Sequence, residues 1–238
     1  MDFKVVHIDE TDSTNHWLKA HGEGTMVVVT DYQTAGKGCG SNSWESERGR
    51  NLTFSMLIHP EGLAAKKQFW ITEVVSVALC NTLERYINKK MDIKWPNDIY
   101  VGDQKICGIL IENRLQGTAI KDCIIGIGLN VNQQAFLSDA PNPVSMWQLT
   151  GRETDRKALL EAFLQAFNEA WESETIAKAY RQRLYRREGY HAYSDKDGRF
   201  EAELRNVMPD GRLELEDKNG NVRNYAFKEV KFLMNSEK

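Results

Sequence analysis

The sequence predicts an α/β protein with a small all-β part at its C-terminal end, and three observations carry that expectation. Apolar, β-branched runs at residues 26–30, 106–111 and 119–132 read as buried strands. Apolar residues recur at helical spacing in two segments, one through Trp70, Val74, Val77, Ala78, Leu83, Tyr86 and Ile87, the other through Leu159, Leu160, Phe163, Phe167, Ala170 and Trp171. After Gly189 the pattern changes to short strands with turns at Asp197-Gly198, Pro209-Asp210-Gly211 and Asn219-Gly220, the spacing of a small β-barrel. The chain therefore divides into a domain of residues 1–188 and a smaller one of residues 189–238.

Taken in order, a short strand is expected at residues 5–8. Asp12-Ser13-Thr14-Asn15 then offers N-caps to a helix through His16-Trp17-Leu18-Lys19-Ala20, which Gly22 stops. The same hydroxyls and amide, with the N–H groups of the helix start, can instead meet a polar ligand. The strand at 26–30 runs into a loop with Gly36, Gly38 and Gly40, whose backbone can approach a ligand closely, and Lys37 adds charge. This is not a P-loop, because position 31 is Asp and Gly38 follows the lysine; nor is it a dinucleotide fingerprint, because position 41 is Ser.

Residues 51–58 alternate, with Asn51, Thr53 and Ser55 on a polar face. Residues 64–90 give a packing helix. The run at 119–132 ends Gly126-Ile127-Gly128-Leu129-Asn130-Val131-Asn132, and glycines inside a strand suggest close approach of a ligand or a second backbone. Pro141-Asn142-Pro143 makes a loop, a helical region follows from Val144, and residues 155 to about 185 read as helical. The basic run at 181–187 reads as a solvated helix end.

The chain has 238 residues, enough for a full core. Its 41% hydrophobic and 27% charged residues are ordinary values for a soluble protein, and a net charge of −3 argues against a general nucleic-acid surface. Cys39, Cys80, Cys107 and Cys123 form no Cys-x-x-Cys pair; the last three lie in apolar runs and read as reduced core thiols of a cytoplasmic protein, with no metal site among them. No signal-peptide pattern opens the chain and no run of about 18 apolar residues exists, so no membrane span is expected.

The charge that a purely structural reading does not absorb lies in residues 94–113. Lys94-Trp95-Pro96-Asn97-Asp98, Gly102-Asp103 and the run opening at Lys105-Ile106-Cys107-Gly108 read as strand, turn, strand, turn, long strand. Lys94, Asp98 and Lys105 end otherwise apolar runs, where desolvating a lone charge is costly, so each should find a partner or a ligand. Two cations flanking one carboxylate can bind an anion and accept a hydrogen bond or a proton.

This stretch resembles the motif of biotin protein ligases, Lys-Trp-Pro-Asn-Asp followed seven residues after the Asp by a Lys that opens a Gly-Ile-Leu strand. Ser13, Thr14 and Asn15 resemble the family's Asp-Ser-Thr-Asn motif at the biotin ureido ring, a neutral group with one acceptor and two donors that suits such side chains. Gln33, Gly36, Lys37, Gly38, Trp44 and Ser46 match the family's glycine loop over biotin and the adenylate. Asn51 with Ser55, and Gly126, Gly128 and Asn130, match strands beside the nucleotide.

The resemblance implies a class II synthetase-like mixed sheet with helices on one side and ligands on the other, followed by a small SH3-like barrel. It implies a two-step reaction. Biotin and ATP, with Mg²⁺, give biotinyl-5′-adenylate, and a lysine of a biotin carboxyl carrier protein, an acetyl-CoA carboxylase or related carboxylase subunit, then takes the biotin. Lys105, Asp98 and Lys94 are the implied catalytic residues. Ser13, Thr14, Asn15, Gln33, Lys37, Gly38, Cys39, Lys105 and Gly108 are the implied biotin contacts, and Lys37, Trp44, Asn51, Lys94 and Asn130 the nucleotide contacts. Whether Lys94 pairs with Asp98 or faces phosphate stays open. Because the Asp-Ser-Thr-Asn motif begins at residue 12, without room before it for a winged-helix DNA reader, a monofunctional ligase is expected that binds no DNA, as a monomer or homodimer. Two rivals are a lipoate or octanoate ligase of the same architecture and a non-catalytic biotin or nucleotide sensor.

The chain departs from the family's loop where arginines are usual: Lys37 and Cys39 replace two, and Asn42 stands where many members have a third. Lysine keeps the charge without the bidentate fork, and cysteine keeps neither. The activated intermediate is therefore expected to escape faster than from arginine-bearing relatives. A trapping assay in solution measures this directly, and finding no free intermediate during turnover would contradict it.

Overall fold

The computed structural model describes residues 1–40, 42–137 and 142–233; Ser41 and the Pro141 of the expected loop lie outside them. Strands β1 (Lys4–Thr11), β2 (Met26–Gln33), β3 (Leu52–Ile58), β4 (Asp92–Lys94), β5 (Asp98–Val101), β6 (Gln104–Gln116) and β7 (Ala119–Leu129) form one mixed sheet in the order β1-β2-β3-β7-β6-β5-β4. Only the β1–β2 pair is parallel; the remaining pairs are antiparallel. Its middle strand β3 is covered on both faces, so every residue of it is buried, the polar Thr53 and Ser55 included.

Helix α1 (Thr14–His21) follows β1, and α2 (Phe69–Tyr86) links β3 to β4. After β7 come α3 (Met146–Thr150), α4 (Arg156–Trp171) and α5 (Ile176–Gln182). The long helices cover one face. Phe54, Met56, Ile58 and Val27 from the sheet meet Val74, Ala78 and Leu79 of α2 and Phe163 and Phe167 of α4 in one cluster. Alternation along the strands turns Met26, Val28, Leu57 and Ile124 to the other face, where Leu18 of α1 covers them. That second face carries the polar residues described below, and α1 packs on it.

Residues 155–185 do not form one helix. Helix α4 ends at Trp171 and α5 starts at Ile176. Asp155 caps α4 by accepting from the Lys157 and Ala158 N–H groups. The basic run that follows is not simply solvated: Arg183 donates to Glu84 at 2.6 Å and to Asn81 at 2.8 Å, tying the chain after α5 back to α2. The apolar spacing of α4 and α5 is continuous enough to hide the break, and the partners of Arg183 lie about a hundred residues away in sequence.

From Tyr190 onward, β8 (Tyr190–Asp195), β9 (Gly198–Val207), β10 (Leu213–Asp217), β11 (Val222–Tyr225) and β12 (Lys231–Phe232) make a second, antiparallel sheet in the order β11-β10-β9-β8-β12. Among the described residues no pairing joins β11 to β12, so the strands expected to form a barrel are seen as a five-stranded sheet. Its buried Tyr193, Leu204, Leu213 and Leu215 are continuous with the main core. The Trp95 indole crosses between the sheets: its Nε1 donates to the Gly211 carbonyl at 2.9 Å, and its ring meets Phe227 edge-on at 6.2 Å. Burial holds the Cys80, Cys107 and Cys123 thiols far above their ordinary range, so they stay protonated as packing groups.

Candidate active site

The charged motif folds as two tight hairpin connections. Trp95-Pro96-Asn97 turns β4 into β5, and Gly102, at φ +57°, turns β5 into β6. The first turn is held from three directions: Trp95 reaches the second sheet, the Tyr180 hydroxyl of α5 donates to the Pro96 carbonyl at 2.6 Å, and Asn97 Nδ2 donates to the Ile109 carbonyl at 2.8 Å. This brings Lys105 Nζ to 2.8 Å from Asp98 Oδ1, an ion pair a little more than a quarter exposed on each side. Lys94 donates to the Tyr100 hydroxyl at 3.2 Å and lies near the Phe232 ring of the second sheet. Burial, and then the nearby Asp98 charge, push the Tyr100 hydroxyl far up, so it stays neutral and can accept from Lys94.

A polar cluster sits where α1 meets the sheet. Ser13 is the N-cap residue of α1 by position, yet its side chain makes no cap bond; the Asp12 carboxylate takes the Ser13 N–H instead. Capping therefore does not account for Ser13, Thr14 and Asn15, all of which are buried. Thr14 donates from both N and Oγ1 to Gln33 Oε1, at 2.8 and 3.0 Å. Ser55 Oγ lies 2.6 Å from both Thr14 Oγ1 and Asn15 Oδ1, and its single hydrogen serves one of them at a time. Asn15 Nδ2 donates to Glu112 at 2.8 Å. Burial opposes charge on Glu112, but hydrogen bonds from Lys19 and Asn15 outweigh it and hold that carboxyl below its usual range.

The glycine loop folds back on itself: the Gly38 N–H bonds the Asn42 carbonyl at 2.7 Å, and the Trp44 N–H bonds the Gly36 carbonyl at 2.9 Å. It delivers Trp44 onto the strands. A Cβ on Gly128 would strike the Trp44 indole, one on Gly108 would stand 3.0 Å from it and 3.3 Å from Lys105 Nζ, and one on Gly126 would strike the Asn15 amide. The strand glycines thus make room for side chains of this same face, where the sequence suggested a ligand or a backbone.

These groups line one cavity of about 1570 Å³. Ser13, Thr14, Asn15, Gln33, Lys37, Gly38, Cys39, Trp44, Lys94, Asp98, Lys105, Gly108 and Asn130 all face it. Asn51 does not: it is buried beside the cavity, with Oδ1 accepting from the Val131 N–H at 2.9 Å and Nδ2 donating to Gln133 at 2.5 Å, and it acts as a brace. Three buried polar atoms on the lining, Trp44 Nε1, Thr53 Oγ1 and Asn130 Oδ1, have no partner among the described residues. Unpaired buried polar atoms are costly, and three around one cavity mark places for ligand hydrogen bonds. Thr53 was readable only as part of an alternating face. Phe227, Lys228 and Phe232 reach the cavity from the second sheet, and no local pattern announced them. Among the described residues no group of three His, Cys, Asp or Glu builds a metal cage.

The polar cluster, the glycine loop and the paired lysine thus stand around one cavity of the mixed sheet. A model of the biotin/lipoate A/B protein ligase family matches residues 4–130, and the chain belongs to that family. It is 34% identical over 171 residues to the bifunctional ligase/repressor BirA of Bacillus spizizenii, covering 69% of this chain and 51% of that protein. It is 32% identical over 168 residues to the biotin--[acetyl-CoA-carboxylase] ligase of Paracoccus denitrificans, covering 66% and 68%. The chain spans about half the length of the BirA relatives it matches. The fold is shared with the biotin protein ligase of Aquifex aeolicus in complex with biotin and ATP, at a TM-score of 0.80, 23% identity, and coverage of 96% and 99%.

Because the Trp44 ring occupies the space above Gly128, Gly128→Ala is expected to destabilise the protein by about 1–3 kcal/mol through overpacking. In a Trp44→Ala background the same change should cost little, and urea unfolding of the four variants measures the coupling. Equal costs in both backgrounds would place Trp44 elsewhere.

Proposed function

We propose that the protein attaches biotin to a lysine of a biotin carboxyl carrier protein, using ATP and passing through biotinyl-5′-adenylate. One observation carries the reading: the polar cluster at Ser13–Asn15, the glycine loop and the Asp98–Lys105 pair converge on one cavity. The family match and the activities named for the relatives support it.

In the first step a biotin carboxylate oxygen attacks the α-phosphorus, and the bond to the leaving pyrophosphate breaks. Both reactants are anions. Two unit charges about 4 Å apart repel by about 1 kcal/mol in water and about 4 kcal/mol at a protein-surface dielectric. The Lys105 and Lys37 ammonium groups offset that repulsion and stabilise the charge that builds on phosphorus. Ser13, Thr14 and Asn15 offer donors and acceptors to the ureido ring, with Gln33 orienting Thr14. Asn130 Oδ1, the Trp44 Nε1–H and Thr53 are open to the nucleotide. Mg²⁺ would arrive on the nucleotide phosphates, the common mode where few protein carboxylates are available.

In the second step the carrier lysine attacks the acyl carbon and AMP departs with the bonding electrons. A free lysine with a pKa of about 10.4 is neutral in only about one molecule in a thousand near pH 7.4. Asp98 accepts that proton or orients the amine. In the structure Asp98 holds Lys105, so an anion that draws Lys105 away frees an Asp98 oxygen for the amine. Lys94, braced by Tyr100, faces the same cavity and adds positive charge.

Pyrophosphate release and transfer to a carrier domain, measured separately, test the assignment. Lys105→Ala is expected to abolish pyrophosphate release. Asp98→Ala should release it while transferring biotin about a hundredfold more slowly, the lower bound of general-base effects. Normal release by Lys105→Ala would remove its role, and lipoate used in preference to biotin would move the substrate to the rival acyl group.

A further inference from the structure

The glycine loop brings only one charged side chain of its own, Lys37, between Gln33 and Trp44. At Cys39 and Gly40 the loop is uncharged. That side of the loop is covered by a cation from elsewhere in the chain. Lys228, in the connection between β11 and β12, lines the same cavity, and a Cβ built on Gly40 would strike its ammonium and lie 3.2 Å from its Cε. Gly40 has a φ of +72°, so the loop presents bare backbone to that ammonium.

Lys228 itself has a φ of +71°, a left-handed conformation that disfavours any residue with a Cβ. Strain kept at a cavity wall points to a use for the side chain it aims. The Lys228 side chain is exposed and has no carboxylate partner among the described residues. The surrounding field agrees. The described cavity lining holds five lysines, Lys37, Lys94, Lys105, Lys228 and Lys231, against two carboxylates, Glu45 and Asp98, in a chain whose net charge is −3. One of the carboxylates is engaged by Lys105. A cavity of that sign in an acidic protein suits a polyanion.

We propose that Lys228 is a phosphate-binding residue: the second sheet lends its ammonium to the Cys39–Gly40 side of the glycine loop, where it contacts the polyphosphate of the nucleotide and the pyrophosphate it releases. The proposal rests on the adenylating function above. It makes the second sheet part of the nucleotide site, with Lys228 supplying charge the loop does not carry itself.

The test is calorimetric binding of pyrophosphate, of ATP and of biotin to the full chain and to three variants. Lys228→Gly removes the ammonium and relieves the backbone, so the fold is kept, with a melting temperature at or above that of the parent. It should bind pyrophosphate and ATP about tenfold more weakly, the loss of one charge-assisted contact, with biotin affinity unmoved. Lys228→Arg should bind both as the parent does, and Cys39→Arg added to Lys228→Gly should restore most of the loss by charging the loop directly. Unchanged pyrophosphate and ATP affinity in Lys228→Gly, or no pyrophosphate binding by the parent, would overturn the proposal. Lys228-dependent pyrophosphate binding by a protein that forms no adenylate from biotin and ATP would instead overturn the functional reading and leave the phosphate contact standing.

Discussion

The site depends on how firmly the turn between β4 and β5 is held. Trp95 is fixed to Gly211 in the second sheet, Pro96 to Tyr180 on α5, and Asn97 to Ile109 on β6. Each bond uses a different part of the chain, so the turn cannot shift without breaking contacts to a sheet, a helix or a neighbouring strand. Lys94 and Asp98 flank it and inherit that rigidity. Lys105 follows, because the β5–β6 connection is only two residues long and pairs Tyr100 with Lys105. Charged groups at the ends of apolar strands are costly to bury alone. Here each is answered: Asp98 by Lys105, and Lys94 by a Tyr100 hydroxyl that burial keeps neutral.

The opposite wall of the cavity is organised by hydrogen bonds. Gln33, Thr14, Ser55, Asn15 and Glu112 form a chain of donors and acceptors running from β2 across α1 and β3 to β6. Between the two walls lies Trp44, seated on glycines that leave no room for any side chain there. A cationic wall and a neutral hydrogen-bonding wall, separated by an aromatic ring, suit a ligand that is anionic at one end and a neutral amide-like ring at the other. Three polar atoms around the same space have no partner among the described residues.

Much of this was legible from local sequence. Pro96-Asn97 and Gly102-Asp103 can only turn the chain, so the hairpins around the charged residues followed from residue types alone. The motif at Asp12–Asn15 was also visible, though capping alone does not explain it: Ser13 holds the N-cap position without a side-chain cap bond, and Gln33 takes the Thr14 N–H at the helix start. Less was legible where the deciding partner is remote. Asn51 had the look of a ligand contact, but Val131 and Gln133 take its amide. Arg183 looked solvated until Glu84 and Asn81 were seen beside it. The glycines at 126 and 128 announced a close approach without naming Asn15 and Trp44 as its cause. The share of the cavity formed by Phe227, Lys228 and Phe232 arises from how the second sheet packs, which short strands of ordinary composition do not encode locally.

The central claim is that this cavity joins biotin to a carrier lysine. The most direct measurement is the intact mass of a biotin carboxyl carrier domain after incubation with the protein, ATP, Mg²⁺ and biotin. The account predicts a single biotin adduct on the acceptor lysine, absent without ATP. An unmodified carrier alongside detectable biotin binding by the protein would contradict it and favour a sensor that binds the ligand without transferring it.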